Sequence, residues 1–379
     1  ASSTAIYGAQ GANGVIIVTT KTGENSTSKV NVNFGVKAGF SELFRTLDLM
    51  NAEEFARYNN ERQHYNKTSS PEPGVGYAPT YTKYPNKYLD PAALGEGTDW
   101  IDAMTYRAPY QQYNLSVNGG TKTTNYYASL NYTDNMGIIH DTGAKNVTAK
   151  LTVGHQFTKW LKLIYAHNTV YRKLLNNKAN VGGKSLWNGV IYLSPALDID
   201  ATINDLYDYG NGQVFNNPYI TVQQSKKYTE IFSNFDMLIA RFTPVKGLTI
   251  ESKNALSLNQ NHQFTFNPGS LPAKAAAKAG GDAFRSELDT RQFTSDNTIT
   301  YKTSFNKKHN LDVMGGASIY YNNKNYMSVN AKGLLVDALS WNDLSGVSDK
   351  DNYTVKSYNT KVKRMSFLAR ANYNFKNRY

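Results

Sequence analysis

The feature that most constrains this chain is a period of two. From Lys29 to Phe40, the residues Val30, Val32, Phe34, Val36, Ala38 and Phe40 alternate with Lys29, Asn31, Asn33, Gly35 and Lys37. Successive side chains of a strand point to opposite faces, so the stretch predicts one strand with an apolar and a polar face. Its length matches the ~9–11 residues of a tilted strand that crosses a bilayer. The pattern recurs. Tyr113, Leu115 and Val117 oppose Gln112, Asn114, Ser116 and Asn118; Tyr126, Ala128, Leu130 and Tyr132 oppose Asn125, Ser129 and Asn131. Val147, Ala149, Leu151 and Val153 oppose Thr148, Lys150 and Thr152, and Trp160–Tyr171 alternates less cleanly. Further strands are expected at Glu230–Phe242, Leu248–Leu258, Gln292–Lys302, Leu311–Tyr320 and Ser366–Phe375, about ten in all.

The connections between these strands alternate in length. Short ones fall at 119–122, 158–159, 244–247 and 306–308; long ones at Ser41–Pro109, Asn135–Asn146, Arg172–Tyr228, Phe264–Thr290 and Asn322–Lys361. Short turns on one rim and long loops on the other are the pattern of an outer-membrane β-barrel. A soluble β-sandwich has no reason to sort its loops by parity, and structureless loops beyond ~12–15 residues are uncommon in compact domains. The expected fold is therefore all-β, an antiparallel transmembrane β-barrel, with the apolar face outside and the Asn, Ser, Thr, Gln and Lys face lining a wet lumen. Gly315-Gly316 fits a wall closely approached by packed backbone. The first long connection contains a helix start: Asn51 as N-cap, Glu54 at the capping-box spacing, Met50 and Phe55 as a staple, with the helix running to about Arg62.

The opening stretch, Ala1 to Gly23, is of another kind. Ile6-Tyr7 then Gly8 reads as a last helical turn with a glycine stop. Gly11 to Gly14 ends in Asn13-Gly14, a pair suited to positive φ. Val15 to Val18 is an unbroken β-branched run, as in a strand buried on both faces, and Lys21 and Gly23 close it. Taken alone, this is a helix-turn-strand found in any α/β protein.

Composition narrows the chemistry. With no Cys there is no disulfide, thiolate metal site or Cys nucleophile. Lys plus Arg number 41 against 29 acids, net +12, without a Lys/Arg-rich run, so a solvated polar surface is read rather than a nucleic-acid footprint. There are 28 Tyr, a side chain that collects at membrane interfaces and at sugar- or peptide-binding surfaces. No apolar run approaches the ~20 residues of a transmembrane helix. His64, His140, His155, His167, His262 and His309 are dispersed, without metal spacing. Gly182-Gly183-Lys184-Ser185 imitates the end of a P-loop, but Lys178 stands where the first Gly is required. Asp198 with Asp200, and Asp349 with Asp351, lack a calcium-loop pattern and read as solvated loop carboxylates. No catalytic, cofactor-binding or metal-binding set is found, and an enzyme is not expected.

Two stretches together resemble the SusC/RagA-like TonB-dependent outer-membrane transporters of Bacteroidetes. One is Ile6-Tyr7-Gly8, Gly11, Asn13-Gly14-Val15, Thr19-Thr20-Lys21 and Gly23, similar to the end of that family's plug domain, with Gln10 in place of the usual basic residue. The other is Thr98-Asp99-Trp100-Ile101-Asp102, then Ala108-Pro109, Tyr113-Asn114-Leu115-Ser116, Gly119-Gly120 and Tyr126-Tyr127, similar to the entry into barrel strands two and three. Gly137-Ile138 and Trp160-Leu161-Lys162 continue it, and Arg370–Tyr373 is similar to a mid-barrel hairpin. The resemblance implies residues 1–28 as the end of the plug with its link, and residues 29–379 as the first part of the barrel. It implies a leader, a TonB box and most of the plug upstream, and a barrel of about 22 strands.

It further implies a Gram-negative outer-membrane location, in contact with the bilayer and lipopolysaccharide. The implied activity is TonB-dependent import of a large nutrient, a glycan or peptide, with a SusD-like surface lipoprotein as partner and no nucleic acid. A passive porin or adhesion barrel is the alternative, and a soluble β-sandwich binding module a third reading. Trp187 and Trp341, in long loops, are weak candidates for substrate contact; loop packing or an aromatic girdle explains them as well.

Overall fold

The computed structural model describes residues 30–68, 90–176, 190–201, 217–306, 308–347 and 349–375. Ten strands form a single sheet in sequence order, each antiparallel to the next. They are β1 (Asn31–Ser41), β2 (Ala108–Gly120), β3 (Thr124–Met136), β4 (Thr142–Thr158) and β5 (Leu161–Asn176). The rest are β6 (Lys226–Phe242), β7 (Leu248–Asn267), β8 (Gly281–Phe305), β9 (His309–Leu334) and β10 (Tyr353–Phe375). The short helices are α1 (Ala52–Thr68), α2 (Trp100–Met104), α3 (Pro218–Gln224) and α4 (Pro272–Ala277), all in the longer connections. At α1 the capping box forms as expected. Asn51 Oδ1 accepts from the Glu54 amide at 2.9 Å, and the Asn51 amide donates to Glu54 Oε2 at 3.1 Å. The helix runs to Thr68, past the expected end near Arg62.

Cross-strand partners share a face, so the register sorts the residues. Phe34 pairs with Leu115, Leu115 with Leu130 and Leu130 with Ala149. The neighbouring row of the same face runs Val36, Tyr113, Tyr132, Val147, Tyr171 and Phe232. The apolar face is exposed, as a lipid-facing wall must be: Phe34 is 69% exposed and Phe367 75%. The row that starts at Phe34 leaves this band as it crosses the sheet and ends at Arg291, Asn323 and Lys361. In β10 the apolar residues Met365, Phe367 and Tyr373 lie further toward the short turns. A band that slides along the strands from β1 to β10 is what tilted strands of a sheared barrel produce.

The strands outrun their sequence-based limits, and mainly on the rim of the longer connections. β7 continues past Leu258 to Asn267, β8 starts at Gly281 rather than Gln292, and β9 extends past Tyr320 to Leu334. β10 begins at Tyr353, not Ser366. Beyond the lipid band the lumen face stays polar and the outer face is partly covered by residues of the connections, so pairing persists without the uniform alternation that reveals it. The longer connections shrink accordingly, to residues 268–280 and 335–352. The connection expected at Asn135–Asn146 is only residues 137–141, the same span as the turn 243–247 on the opposite rim.

One island on the lipid face is polar. Tyr165, His167 and Thr169 of β5 face Asn234 and Asp236 of β6, between Leu151 on one side and Leu256 and Leu258 on the other. Asp236 Oδ1 accepts from the Tyr165 hydroxyl at 2.6 Å and lies 2.8 Å from His167 Nδ1. Asp236 Oδ2 accepts from Asn234 Nδ2 at 2.7 Å. The Thr169 hydroxyl donates to Asn234 Oδ1 at 2.6 Å and sits 2.9 Å from His167 Nε2. Polar groups at membrane depth are tolerated when they satisfy one another in this way.

The glycine positions follow from close approach. A Cβ on Gly119 would sit 2.7 Å from Cζ of Tyr126, its cross-strand partner, whose ring covers it. Gly247, at φ +85°, turns the chain between β6 and β7 against the Lys302 carbonyl. Of the pair Gly315-Gly316, only Gly316 is closely approached, with the Asn297 carbonyl 2.9 Å from a Cβ placed there.

Two outcomes are expected. Asp236→Ala removes the acceptor of two donors and should cost about 1–3 kcal/mol, read as a lower melting temperature of the full-length protein in detergent; an unchanged melting temperature would show that the island is not coupled. β1 and β10 are both open edges of the sheet. The 379-residue chain expressed alone should therefore fail to give a monodisperse monomer in detergent, checked by light scattering coupled to size exclusion.

Candidate functional site

The face opposite the lipid band is built of side chains that bond to water or to a hydroxylated ligand. One row crosses the whole sheet: Gly35, Asn114, Asn131, Thr148 and Val170, then Ser233, Asn259, Thr290, Lys324 and Thr360. Only Val170 in it is apolar. Asn259 Nδ2 donates to the Ser233 hydroxyl at 2.7 Å, so part of the row is already ordered. In the next row, Arg172 Nε donates to Asn146 Oδ1 at 2.6 Å. An apolar patch interrupts this wall where Ile164 pairs with Ile239 and Ala166 with Met237.

Over the rim of the longer connections lies a small core of its own. Trp100, Ile101 and Met104 of α2 pack with Val190, Leu193, Leu197 and Ala201 and with Val222 of α3. The connection between β1 and β2 is thereby packed against the one between β5 and β6. Each piece is positioned by a cap. Asp99 Oδ1 accepts from the amides of Ile101 and Asp102 at 2.9 and 3.0 Å and starts α2. The Trp100 indole, buried among apolar groups, donates to the Ser194 carbonyl at 2.9 Å. Asn217 is fully buried and starts α3. Its Oδ1 accepts from the Tyr219 and Ile220 amides at 2.9 and 3.3 Å, while Nδ2 donates to the Ile199 and Ala201 carbonyls at 2.8 and 3.3 Å. A buried amide needs that full set of partners.

Trp341, a weak substrate-contact candidate, sits on the outer face above the lipid band. Its ring meets Tyr228 at 5.4 Å, Phe264 at 6.0 Å and Phe266 at 6.2 Å between centroids. Leu344 and Val347 pack beside it over Phe266, Ala283 and Leu334. The connection 335–352 is thus folded down onto the strand extensions. Asp343 helps to shape it: the hydroxyl and amide of Ser345 donate to Asp343 Oδ1, holding that carboxyl below its ordinary range. Trp187 and the opening residues Ile6, Tyr7, Gly8, Gly11, Asn13, Gly14, Lys21 and Gly23 lie outside the described residues. Asp349 Oδ1 accepts from the Asp351 amide at 3.0 Å, as a turn cap does. Among the described residues, no three His, Cys, Asp or Glu side chains are grouped to hold a metal ion. No helix among them is long and apolar enough to cross a membrane, which says nothing about a crossing by strands.

Sequence reasoning missed the loop core, because its members are scattered over about a hundred positions without a shared period. The one local signal was Trp100 after Asp99, a buried aromatic behind an N-cap.

No family model matches the chain. It is 25% identical over 382 residues to TonB-dependent receptor P26 of Formosa agariphila, across all of this chain and 36% of that protein. TonB-dependent receptor P3 of the same organism is 26% identical over 393 residues, again across the whole chain and 35% of the relative. TonB-dependent receptor SusC of Bacteroides thetaiotaomicron is 32% identical over 158 residues, 41% of this chain and 13% of SusC. The chain thus spans about a third of the length of the curated relatives it matches end to end. Among solved structures, the RagAB peptide transporter superposes with a TM-score of 0.77 at 22% identity, covering 99% of this chain and 44% of that one. The SusC/RagA-like character read from the sequence is borne out, and so is the fold: the sheet is part of an outer-membrane β-barrel wall.

Asn217→Ala should unlock the loop core. It removes a cap worth about 1 kcal/mol and leaves two buried carbonyls without a donor, about 1–3 kcal/mol more. Faster amide exchange at residues 190–201 and 217–225, with the strands unchanged, is the expected result.

Proposed function

We propose that this SusC/RagA-like chain is part of a barrel that imports a large nutrient, an oligosaccharide or a peptide, across the outer membrane. Energy comes from TonB acting on a plug, and a SusD-like surface lipoprotein covers the mouth. The observation that carries the reading is the wall itself. One face is mainly apolar and the other mainly amides, hydroxyls and charged groups, below connections that share a small core. Such a face has no catalytic set to offer. It suits a ligand held by many weak polar contacts and moved along the wall, because no single contact is strong enough to trap it. The opening stretch, similar to the end of a plug, favours gated import over a passive porin, since an open pore holds no plug. Residues 1–28 are assigned to that plug end and the following chain to the barrel. The roles proposed for Ile6 to Gly23 are structural ones. The Trp341 ring is packed against Tyr228 and Phe264, in keeping with loop packing, whereas Trp187 is a proposed contact.

Import and passive passage separate in one experiment. Cells carrying the full-length gene should take up the nutrient only while TonB is present, and the purified full-length protein should leave liposomes impermeable to sugars in a swelling assay. Uptake that survives loss of TonB, together with rapid swelling, would contradict the import reading and favour the porin.

A further inference from the structure

The chain's excess positive charge, dispersed in sequence, is sorted in space. Five adjacent cross-strand rows of the lumen face run from Gly39 to Lys356, Lys37 to Tyr358, Gly35 to Thr360, Asn33 to Val362 and Asn31 to Arg364. They hold six cations, Lys37, Lys150, Arg172, Lys324, Lys356 and Arg364, and no carboxylate.

The carboxylates of this face lie elsewhere, and each is engaged. Toward the short turns, Glu251 is bridged by Arg241 at 2.7 Å and Lys253 at 2.9 Å, and Asp312 by Lys302 at 3.3 Å. Asp296 accepts from the Ser318 hydroxyl. At the opposite rim, Asp282 is bridged by Lys274 at 2.7 Å. The lower wall therefore mixes carboxylates with its cations, while the five rows above it hold cations alone. Among the described residues none of the six cations has a carboxylate within ion-pair distance. Lys150 and Arg364 instead lie over the rings of Tyr127 and Tyr320, at 5.7 and 5.1 Å.

Cations spaced along a concave wall focus a positive potential into the space they enclose and attract anions from outside. The side chains between them decide which anions. Each of the five rows carries Asn or Gln, and an amide offers both a donor and an acceptor. Carboxylate or sulfate groups repeated along a hydroxylated chain would meet both features at once, the charges on the Lys and Arg and the hydroxyls on the amides.

We infer that the nutrient is an acidic oligosaccharide, bearing uronate or sulfate groups, drawn to the upper lumen by these six cations. This rests on the import reading and adds the substrate's charge. The amide field is what favours a glycan over an acidic peptide.

The test uses the full-length protein, purified with any partner that accompanies it, and measures binding by calorimetry at two salt concentrations. The probes are a hexamer of galacturonate, a sulfated dextran oligomer, maltohexaose and a short polyglutamate. At least one of the two acidic glycans should bind, its affinity should fall at least tenfold between 50 and 300 mM salt, about the loss expected for a few released counterions, and maltohexaose should bind far more weakly. The triple variant Lys37→Gln/Lys150→Gln/Arg364→Gln should lose at least tenfold for the acidic glycan and flatten the salt dependence. The charge-keeping variant Lys37→Arg/Lys150→Arg/Arg364→Lys should retain binding, which separates lost charge from lost folding. Equal binding of maltohexaose, an unaffected triple variant, tighter binding of polyglutamate, or binding of none of the probes would each overturn the inference. TonB-dependent uptake of a neutral glycan would do so too while leaving the import reading intact, whereas loss of TonB dependence would overturn the import reading itself.

Discussion

In hydrocarbon every backbone N–H and C=O must find a partner within the protein, and each one left alone costs several kcal/mol. The rest of this structure depends on that constraint. It requires neighbouring strands to pair without gaps, and the ten strands do so in sequence order from β1 to β10. Pairing in turn locks the register, and a register with one face in lipid cannot slip by one residue without turning every apolar side chain inward. The period of two in the sequence and the unbroken ladder are two consequences of one solvent.

Where the solvent changes, the sequence falls silent. Within the lipid band Leu115, Leu130 and their partners reveal each strand, and the expected limits of β1 to β3 fall close to the observed ones. Above the band β7 to β10 continue together, their outer face partly covered by the connection 335–352, and residues such as Arg285 and Glu287 pair with each other at 2.8 Å. Strand ends there were not legible because the outer face meets water at some positions and covering loop residues at others, so no single solvent imposes a pattern. The short turns stayed legible because the lipid band ends close to them.

The site divides in the same way. The polar lumen face could be read from the alternate positions of each strand. Its charge pattern could not, because Lys37, Lys150 and Lys324 become neighbours of one lumen only once the register is known. Nor could the loop core, where Asn217 and Trp100 meet partners far away in sequence. Trp341 illustrates the converse: an aromatic residue in a long loop invites a functional reading, yet its ring completes a cluster with Tyr228, Phe264 and Phe266.

The central claim is that one face of each strand meets lipid and the other a wet lumen. This chain has no Cys, so, with any Cys outside it replaced, single cysteines can be placed one at a time along β3 of the full-length protein and spin-labelled in a bilayer. The account predicts a period of two from Tyr126 to Tyr132: labels at 128 and 130 exposed to dissolved oxygen, labels at 127, 129 and 131 exposed to a water-soluble nickel chelate. Accessibility without that alternation, or with its phase reversed, would contradict it.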